Sequence, residues 1–366
     1  MKSTIKYFFI GFLSVLILVS SIRINKSNNL SGENNLILNI KTIPVNYYFS
    51  KLPENNNYSL LGKHLNKKSL MINASNSLVI PTYVKDNNQA IHPSIFYDPD
   101  MKYGYRYILA FTPYSFLNDQ TENPSIVVSN DGINFKILED VPSPLVKPEK
   151  NCHLSDVCIF EKDSTLEIWY RESNKKTRLS RLLRITTNDL ISYTKPQVIL
   201  DYGTSGYGLG SPSVLYEDGV YKIYYRKNMD IGSDSYVYRA SLDLKSFTNP
   251  IPLKFDKGEW TNYHPWHLEI KKVNNIYYCL TMNCPDGKMD TSSLFLLESY
   301  DGINFKNPIK ILEPSEKGHD NWLIYKSTFM VKDDTVWLYY SAIDKLKKST
   351  ISLLSGPDFL HLKPVY

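Results

Sequence analysis

The chain has 366 residues, of which 42% are hydrophobic and 22% charged, and both values are ordinary for a globular protein. The formal net charge is only +5 and no long Lys/Arg run occurs, so we expect no nucleic-acid partner. Tyrosine is abundant, with 28 residues against 15 Phe, and this favours the half-buried strands of a β protein.

The first 23 residues have the pattern of an export signal. Lys2 and Lys6 precede an apolar stretch over 7–19 that is shorter than the ~20 residues of a typical membrane span. Residues 1–23 therefore predict either a cleaved signal peptide or an uncleaved membrane anchor. Both alternatives place the rest of the chain outside the cytoplasm, secreted or anchored to the outer side of the membrane. We expect membrane contact only through this segment.

Residues 24–85 are rich in Asn, Ser and Lys, a composition typical of a loose tether. The later part, 77–84, is expected to pack on the following domain. Export permits disulfides, so a Cys152–Cys158 bridge is one option, whereas Cys279 lies in an apolar run that favours a buried thiol.

One sequence unit recurs five times from residue 91 onward. Its signature is Ser/Thr and Asp followed by an aromatic residue, and the aspartates are 58, 54, 58 and 57 residues apart: Asp131, Asp189, Asp243, Asp301 and Asp358. Ser/Thr and Asp oxygens accept hydrogen bonds from nearby backbone amides, and Gly allows positive φ. The signatures therefore predict structural turns between strands.

Each signature follows runs rich in aromatic and β-branched residues, such as 105–111, 166–170 and 336–340. Four strands repeated five times predict an all-β fold, a five-bladed β-propeller with four antiparallel strands per blade, over residues 86–366. In such a meander the Asp turns lie on one face, and the innermost strands begin on the opposite face, around a central funnel.

The inner-strand positions at this funnel differ among the five units. The aligned residues are His92, Asp156, Ser211, Trp266 with His267, and Lys326. Strand-two ends and strand-three approaches add further polar residues on the same side: Arg171, Arg226, Glu122 and Asn123.

The run His92-Pro-Ser-Ile-Phe-Tyr-Asp98, the blade-two Ser155-Asp156-Val and the Ser-x-Asp-Gly-x-x-Phe turns resemble the five-bladed glycoside hydrolases of families 43 and 62, and the related families 32 and 68. The resemblance implies a carbohydrate substrate and three acids, opening blades one, two and three. Only Asp156 matches by position. His92 stands in place of the blade-one Asp, and Ser211 and Ser213 stand where the blade-three Glu belongs.

From these residues we predict a glycan-active enzyme, a glycoside hydrolase with Asp156, Glu269 and His92 as catalytic candidates. Glu269 follows His267 by two residues, so it points the same way on a strand and could supply the second carboxylate that glycoside hydrolysis needs. The predicted substrate-binding residues are Trp266, His267, His264, Arg171, Arg226, Lys326, Glu122, Asn123 and Ser211.

Two other functions and one other chemistry stay open at this point. The missing acids favour a non-catalytic glycan-binding propeller, and the basic funnel residues favour a transferase or phosphodiesterase acting on a phosphorylated polymer. A metal site of histidines with Asp156 is the chemical alternative. We nevertheless expect no metal or cofactor, and a monomer.

Overall fold

The computed structural model describes residues 60, 73–203, 208–227, 236–256, 264–284, 289–290 and 292–365. Within these residues the chain is all-β apart from two 3₁₀ turns at Ser115–Leu117 and Asp119–Thr121, and it forms five sheets. Each sheet comes from one continuous stretch of chain, and its strands follow a meander order except for one added parallel strand in the fourth sheet. The predicted five-bladed β-propeller is therefore confirmed.

The strands are numbered here in chain order. Blades 1 and 2 contain β1 (Ala90–Tyr97), β2 (Tyr107–Pro113) and β3 (Ser125–Ser129), then β4 (His153–Lys162), β5 (Thr165–Asn174), β6 (Leu179–Thr187) and β7 (Gln197–Asp201). Blade 3 contains β8 (Gly210–Glu217), β9 (Val220–Arg226), β10 (Tyr236–Ser241) and β11 (Ile251–Pro252). Blade 4 contains β12 (Lys254–Phe255), β13 (Pro265–Val273), β14 (Ile276–Asn283), β15 (Ser293–Ser299) and β16 (Asn304–Leu312). Blade 5 contains β17 (Leu323–Lys332), β18 (Thr335–Ile343), β19 (Ser349–Gly356) and β20 (Lys363–Pro364).

Two blades depart from the predicted four strands. Blade 1 has three, because the chain after its Asp turn makes one bridge, Val128 to Lys136, and then reaches Pro142 and Pro144, which lack the N–H that a strand donates. Blade 4 gains a fifth strand, since β12 pairs parallel with β16. The other three sheets have four strands each.

The aspartate signatures form turns, as predicted. In blade 1, Asp131 Oδ1 accepts hydrogen bonds from the amides of Ile133 (2.8 Å) and Asn134 (2.7 Å). Gly132 has φ +77, and a Cβ there would lie 2.8 Å from the Tyr339 hydroxyl, so only glycine fits. Asp189 and Asp243 repeat the same two amide contacts.

Buried tyrosines fill the space between blades, which explains their abundance. They are Tyr107, Tyr170, Tyr224, Tyr225, Tyr236, Tyr278, Tyr339 and Tyr340, all less than 2% exposed. Several hydroxyls also hold neighbouring segments. Tyr340 Oη accepts from the Ala74 amide (3.0 Å), and Tyr278 Oη accepts from the Leu60 amide (2.8 Å).

Five residues of the inner strands form a closed ring around the propeller axis, the lower ring: Ser94, Cys158, Ser213, Glu269 and Thr328. Side chains of this ring accept hydrogen bonds from backbone N–H groups of the next blade. Ser94 Oγ accepts from Ile159 (3.1 Å), and Ser213 Oγ accepts from Ile270 (2.8 Å). Cys158 Sγ and Thr328 Oγ1 likewise accept a hydrogen bond from a backbone amide of the next blade. Glu269 is the exception, because its carboxylate accepts from the Thr328 hydroxyl (2.6 Å). The lower ring therefore fastens adjacent blades to each other.

Two residues before each of these positions lies the upper ring: His92, Asp156, Ser211, His267 and Lys326. Every inner strand has a register shift at this point, so each upper-ring residue lies in a β-bulge. His92, Asp156 and Ser211 have φ values of 55, 57 and 50, which non-glycine residues adopt rarely. The bulges therefore direct side chains at one point above the lower ring.

The segment before β1 packs on blade 5. Leu78 and Ile80 are buried, and the Leu78 amide donates to Ile351 O (2.8 Å). The four cysteines are free buried thiols. The predicted signal or anchor, 1–23, and most of 24–85 lie outside the described residues. Among the described residues, we find no helix with the length and apolarity needed to cross a membrane.

Candidate active site

Three upper-ring side chains meet at the funnel. His92 Nε2 lies 3.1 Å and His267 Nδ1 3.6 Å from Asp156 Oδ1. One nitrogen or oxygen from each of the three residues falls within 4.8 Å of the others, a spacing at which they could share a metal ion. Sequence reasoning selected all three residues but placed them in separate catalytic and binding roles.

A hydroxyl group fixes each imidazole. His92 Nδ1 lies 2.9 Å from Thr112 Oγ1, and His267 Nδ1 lies 2.7 Å from Ser211 Oγ. A proton on Nδ1 lets each ring donate to its hydroxyl and leaves a lone pair on Nε2. Among the described residues, neither Nε2 atom nor Asp156 Oδ1 makes a hydrogen bond, although His92 Nε2 and Asp156 Oδ1 are in contact at 3.1 Å.

Asp156 is completely buried and ionised. Burial by itself would raise the pKa of this carboxyl, but the nearby Arg171 guanidinium and the hydrogen bond from the Ser211 amide hold the pKa far below its usual range. Arg171 Nε contacts Asp156 Oδ2 at 3.1 Å, and the Ser211 amide donates to the same oxygen at 3.0 Å. One oxygen is thus held by the protein while Oδ1 stays available.

Both imidazoles are neutral. Burial lowers the pKa of His92 to about 3, and burial likewise holds the pKa of His267 well below its usual range. Two neutral imidazoles and one carboxylate are the protein ligands of many divalent-metal hydrolases, and each histidine has the second hydrogen bond that such ligands usually make. The residues therefore fit a divalent ion, contrary to our expectation of no metal.

A second titratable pair borders this cluster. Glu122 Oε1 lies 3.6 Å from His92 Nδ1, and Glu122 Oε2 lies 3.9 Å from His153 Nε2. Desolvation raises the pKa of Glu122 well above its usual range, and the negative charge of Asp156 raises it further. Burial lowers the pKa of His153 to about 4. Glu122 can therefore hold a proton near neutral pH.

Aromatic rings form one wall of the cluster. The Tyr325 ring lies 4.4 Å from the His267 ring and 5.4 Å from the His92 ring, centroid to centroid. Trp266 meets His267 edge-on at 6.1 Å, and the Arg226 guanidinium stacks over Trp266 at 4.1 Å. Arg226 itself is 1% exposed.

Lys326 and Glu269 lie beneath the cluster. Lys326 Nζ lies 3.4 Å from Glu269 Oε2 and donates to Val157 O. The Glu269 carboxylate also accepts from the Thr328 hydroxyl, and its exposure is 2%. Glu269 was predicted as a catalytic residue and Lys326 as a substrate-binding residue. Glu269 belongs to the lower ring, and Lys326 belongs to the upper ring but its side chain contacts Glu269 beneath the cluster. The bulge in β13 places His267 toward the funnel and Glu269 toward the axis below.

Each of the three predicted cationic ligands has a contact within the protein. Arg171 pairs with Asp156, Arg226 stacks on Trp266, and Lys326 pairs with Glu269. An anion site that binds a phosphorylated polymer stays a prediction.

The remaining predicted residues lie at the edge. Asn123 donates to Tyr83 Oη (2.7 Å), and the His264 amide donates to Asn283 Oδ1 (2.6 Å). Thr112 and Tyr325 were not among the predicted site residues. From the sequence, Lys326 was expected to face the funnel, and its neighbour Tyr325 was not. The β-bulge that turns both side chains leaves no mark in the sequence.

The fold is that of carbohydrate-active five-bladed propellers, as the sequence resemblance implied. A crystal structure of an N-acetylgalactosamine deacetylase from Flavonifractor plautii, in complex with blood group B trisaccharide, superposes with a TM-score of 0.68 at 18% identity, over 76% of this chain and 94% of that one. A β-xylosidase superposes with a TM-score of 0.56 at 11% identity, over 79% and 98%. A glycoside hydrolase family 43 enzyme from Xanthomonas citri gives 0.53 at 10%, over 82% and 95%.

By sequence, the chain is 24% identical to an "A type blood N-acetyl-alpha-D-galactosamine deacetylase" of Flavonifractor plautii. The match covers 72% of this chain, which spans only 42% of that protein's length. No family model matches the chain.

Proposed function

We propose that this protein is a glycan-active amide hydrolase that removes acetyl groups from N-acetylated sugars. The observation that carries the proposal is the buried cluster of His92, Asp156 and His267, in which one ligand atom of each residue lies within 4.8 Å of the others. His92 Nε2, His267 Nε2 and Asp156 Oδ1 are buried and make no hydrogen bond among the described residues. The similarity to a sugar deacetylase, by sequence and by fold, supports the same chemistry.

His92, Asp156 and His267 would hold the ion. A divalent ion bound there supplies Lewis acidity toward an amide carbonyl and lowers the pKa of water. Arg171 and the Ser211 amide keep Asp156 ionised and oriented. Thr112 and Ser211 keep both imidazoles in the tautomer that leaves Nε2 free.

Proton transfer falls to Glu122 and His153. In amide hydrolysis water adds to the carbonyl carbon, the C–N bond breaks, acetate leaves and the sugar amine takes a proton. A carboxyl group whose pKa is raised toward neutrality can accept the proton of water and return it to the amine. Glu122 is the carboxyl beside the cluster with this property.

Glycoside hydrolysis is the second candidate, and the opposite pKa shifts of two neighbouring carboxyls favour it. The pKa of Glu122 is raised and that of Asp156 is lowered, and His92 is in contact with both. This division between acid and base is the one that glycosidases use. Against it, Asp156 is 0% exposed, and Arg171 and the Ser211 amide occupy one of its oxygens.

One product assay separates these functions. The protein is incubated with N-acetylhexosamine glycosides and N-acetylated oligosaccharides, and both free acetate and new reducing ends are measured. Acetate without reducing ends, lost after chelation and restored by Zn²⁺ or Mn²⁺, is the expected result. Reducing ends without acetate would establish the glycosidase instead, and saturable binding without either product would establish a glycan-binding propeller.

We also propose an extracellular location, secreted or anchored through residues 1–23. The support is the basic and apolar pattern of that segment. Fractionation of the source cells tests it, and recovery of the protein with the cytosol would contradict it.

A further inference from the structure

An apolar surface adjoins the candidate active site where blades 1 and 5 meet. Its base is buried and consists of Ile91, Leu323 and Ile343. Three half-buried aromatic residues pack against this base, and we call them the aromatic shelf: Tyr114, Trp322 and Tyr325. Tyr325 belongs to both features, because its ring also contacts the two histidines of the cluster. The shelf is therefore continuous with the site.

Phe116 lies two residues after the shelf residue Tyr114, in the β2–β3 connection, and its side chain is 55% exposed. Its backbone has φ 49 and ψ 44, and Leu117 has φ 62. Two bulky residues in the left-handed region, side by side, are strained, and such strain concentrates at binding sites.

Hydrogen bonds hold this strained loop in place. The Phe116 amide donates to Gln89 Oε1 (2.9 Å), and the Ser115 amide donates to Thr121 Oγ1 (3.0 Å). Gln89 Oε1 also accepts from the Ser349 amide of blade 5 (3.2 Å). The backbone that carries this exposed aromatic ring is thus held before any ligand arrives, which reduces the entropy cost of binding.

Polar groups from blades 1 and 2 also border the cluster. Arg171 contacts Asp156, and Glu122 lies near both His92 and His153. A pyranose ring has an apolar C–H face and a hydroxyl edge, and a site that binds it combines aromatic faces with a few polar groups. The shelf and Phe116 are four residues, far fewer than the roughly 20–30 per side of a stable protein interface.

We infer that the aromatic shelf with Phe116 binds a second sugar ring, next to the one whose acetyl group is removed. The inference rests on the proposed function and makes the substrate an oligosaccharide or the end of a glycan chain. A monosaccharide would fill the cluster and leave the shelf empty.

The test compares two probes, methyl N-acetylgalactosaminide and the blood group A trisaccharide, with kcat and KM for acetate release. Trp322→Ala and Phe116→Ala should raise KM for the trisaccharide by about 3- to 10-fold more than KM for the monosaccharide, as expected for loss of aromatic stacking. Tyr300→Ala is the matched control, because Tyr300 is 68% exposed but lies in an Asp turn on the opposite face.

Equal changes for both probes, or no change with either variant, would overturn the inference. An equal effect of Tyr300→Ala would do the same. If the wild-type protein releases no acetate from either probe, the proposed function fails, and calorimetric titration with the two sugars then tests the shelf alone. Tighter binding of the trisaccharide that is lost in Trp322→Ala would retain the shelf, and equal binding would reject it.

Discussion

Ser211→Ala should weaken divalent-ion binding while leaving the fold in place. Ser211 Oγ is the partner of His267 Nδ1 at 2.7 Å, and its removal frees the ring to change tautomer or rotate. Loss of such a second hydrogen bond on a metal-ligating histidine typically costs about 10- to 100-fold in metal affinity, or about 1.4–2.8 kcal/mol. Alanine keeps the Cβ, so the left-handed backbone at φ 50 is not strained further.

Ser213→Ala is the control, since Ser213 lies one ring lower and its hydroxyl is equally buried. Ser213 Oγ accepts from the Ile270 amide at 2.8 Å and donates to Ile270 O at 3.2 Å. Both variants should lose about 1–3 kcal/mol of unfolding free energy, because each leaves a buried polar group without its partner. Only Ser211→Ala should lose affinity for the ion.

The assay is calorimetric titration of chelator-treated protein with Zn²⁺ and with Mn²⁺, alongside urea unfolding of each variant. Equal loss of affinity in Ser211→Ala and Ser213→Ala would mean that general destabilisation is the cause. Unchanged affinity in Ser211→Ala would refute the assignment of His267 as a ligand held through Nδ1.

Three further predictions concern charged groups. Asp156→Asn should abolish acetate release and also lower the unfolding free energy by about 3–5 kcal/mol, because it leaves the Arg171 guanidinium beside a neutral group; unchanged activity would remove Asp156 from the site. Lys326→Met should destabilise the protein by a similar amount in urea unfolding, because it removes the ion pair that Lys326 makes with Glu269. Adding Glu269→Leu should restore much of this loss while acetate release is retained. If Glu269 is catalytic, the double variant will be inactive instead. Hydrogen bonds from Asn134 and Ile133 outweigh desolvation and hold the pKa of Asp131 below its unfolded value. The stabilisation that Asp131 provides is therefore present above about pH 4 and is lost as the pH falls. Asp131→Asn should lower the thermal midpoint at pH 6 more than at pH 3, and an equal shift at both pH values would contradict this sign.

The fold could be predicted because the turns recur. One local interaction leaves a residue-level mark at every blade, because each signature aspartate accepts a hydrogen bond from an amide that follows it: Asp131, Asp189, Asp243, Asp301 and Asp358. The missing fourth strand of blade 1 has a weaker mark, the two prolines Pro142 and Pro144. The parallel pairing of β12 with β16 depends on contacts between segments about 50 residues apart, and no local pattern encodes it.

The sequence predicted part of the site. It identified the candidate residues Asp156 and Glu269 but did not show that they lie at different levels of the funnel. Both are acidic residues of inner strands, and alternation along a strand places His267 and Glu269 on one side. Only the three-dimensional ring shows that His267 joins the cluster while Glu269 lies one level lower, against Lys326 and Thr328. The roles of Thr112 and Tyr325 depend on contacts across strands and blades, which a single sequence does not record.

The division into two rings has a consequence for how such proteins diverge. The lower ring fastens blade to blade through Ser94, Ser213 and Thr328, so this set of contacts between blades is separate from the side chains of the upper ring. Substitutions at the bulged positions can then change the chemistry without reopening the circle. A lineage could exchange an acid for an imidazole at one blade and keep a folded intermediate at every step. Propellers sharing 10–18% identity with this chain include proteins described as a sugar deacetylase and as a xylosidase, which is the pattern that such independence would leave.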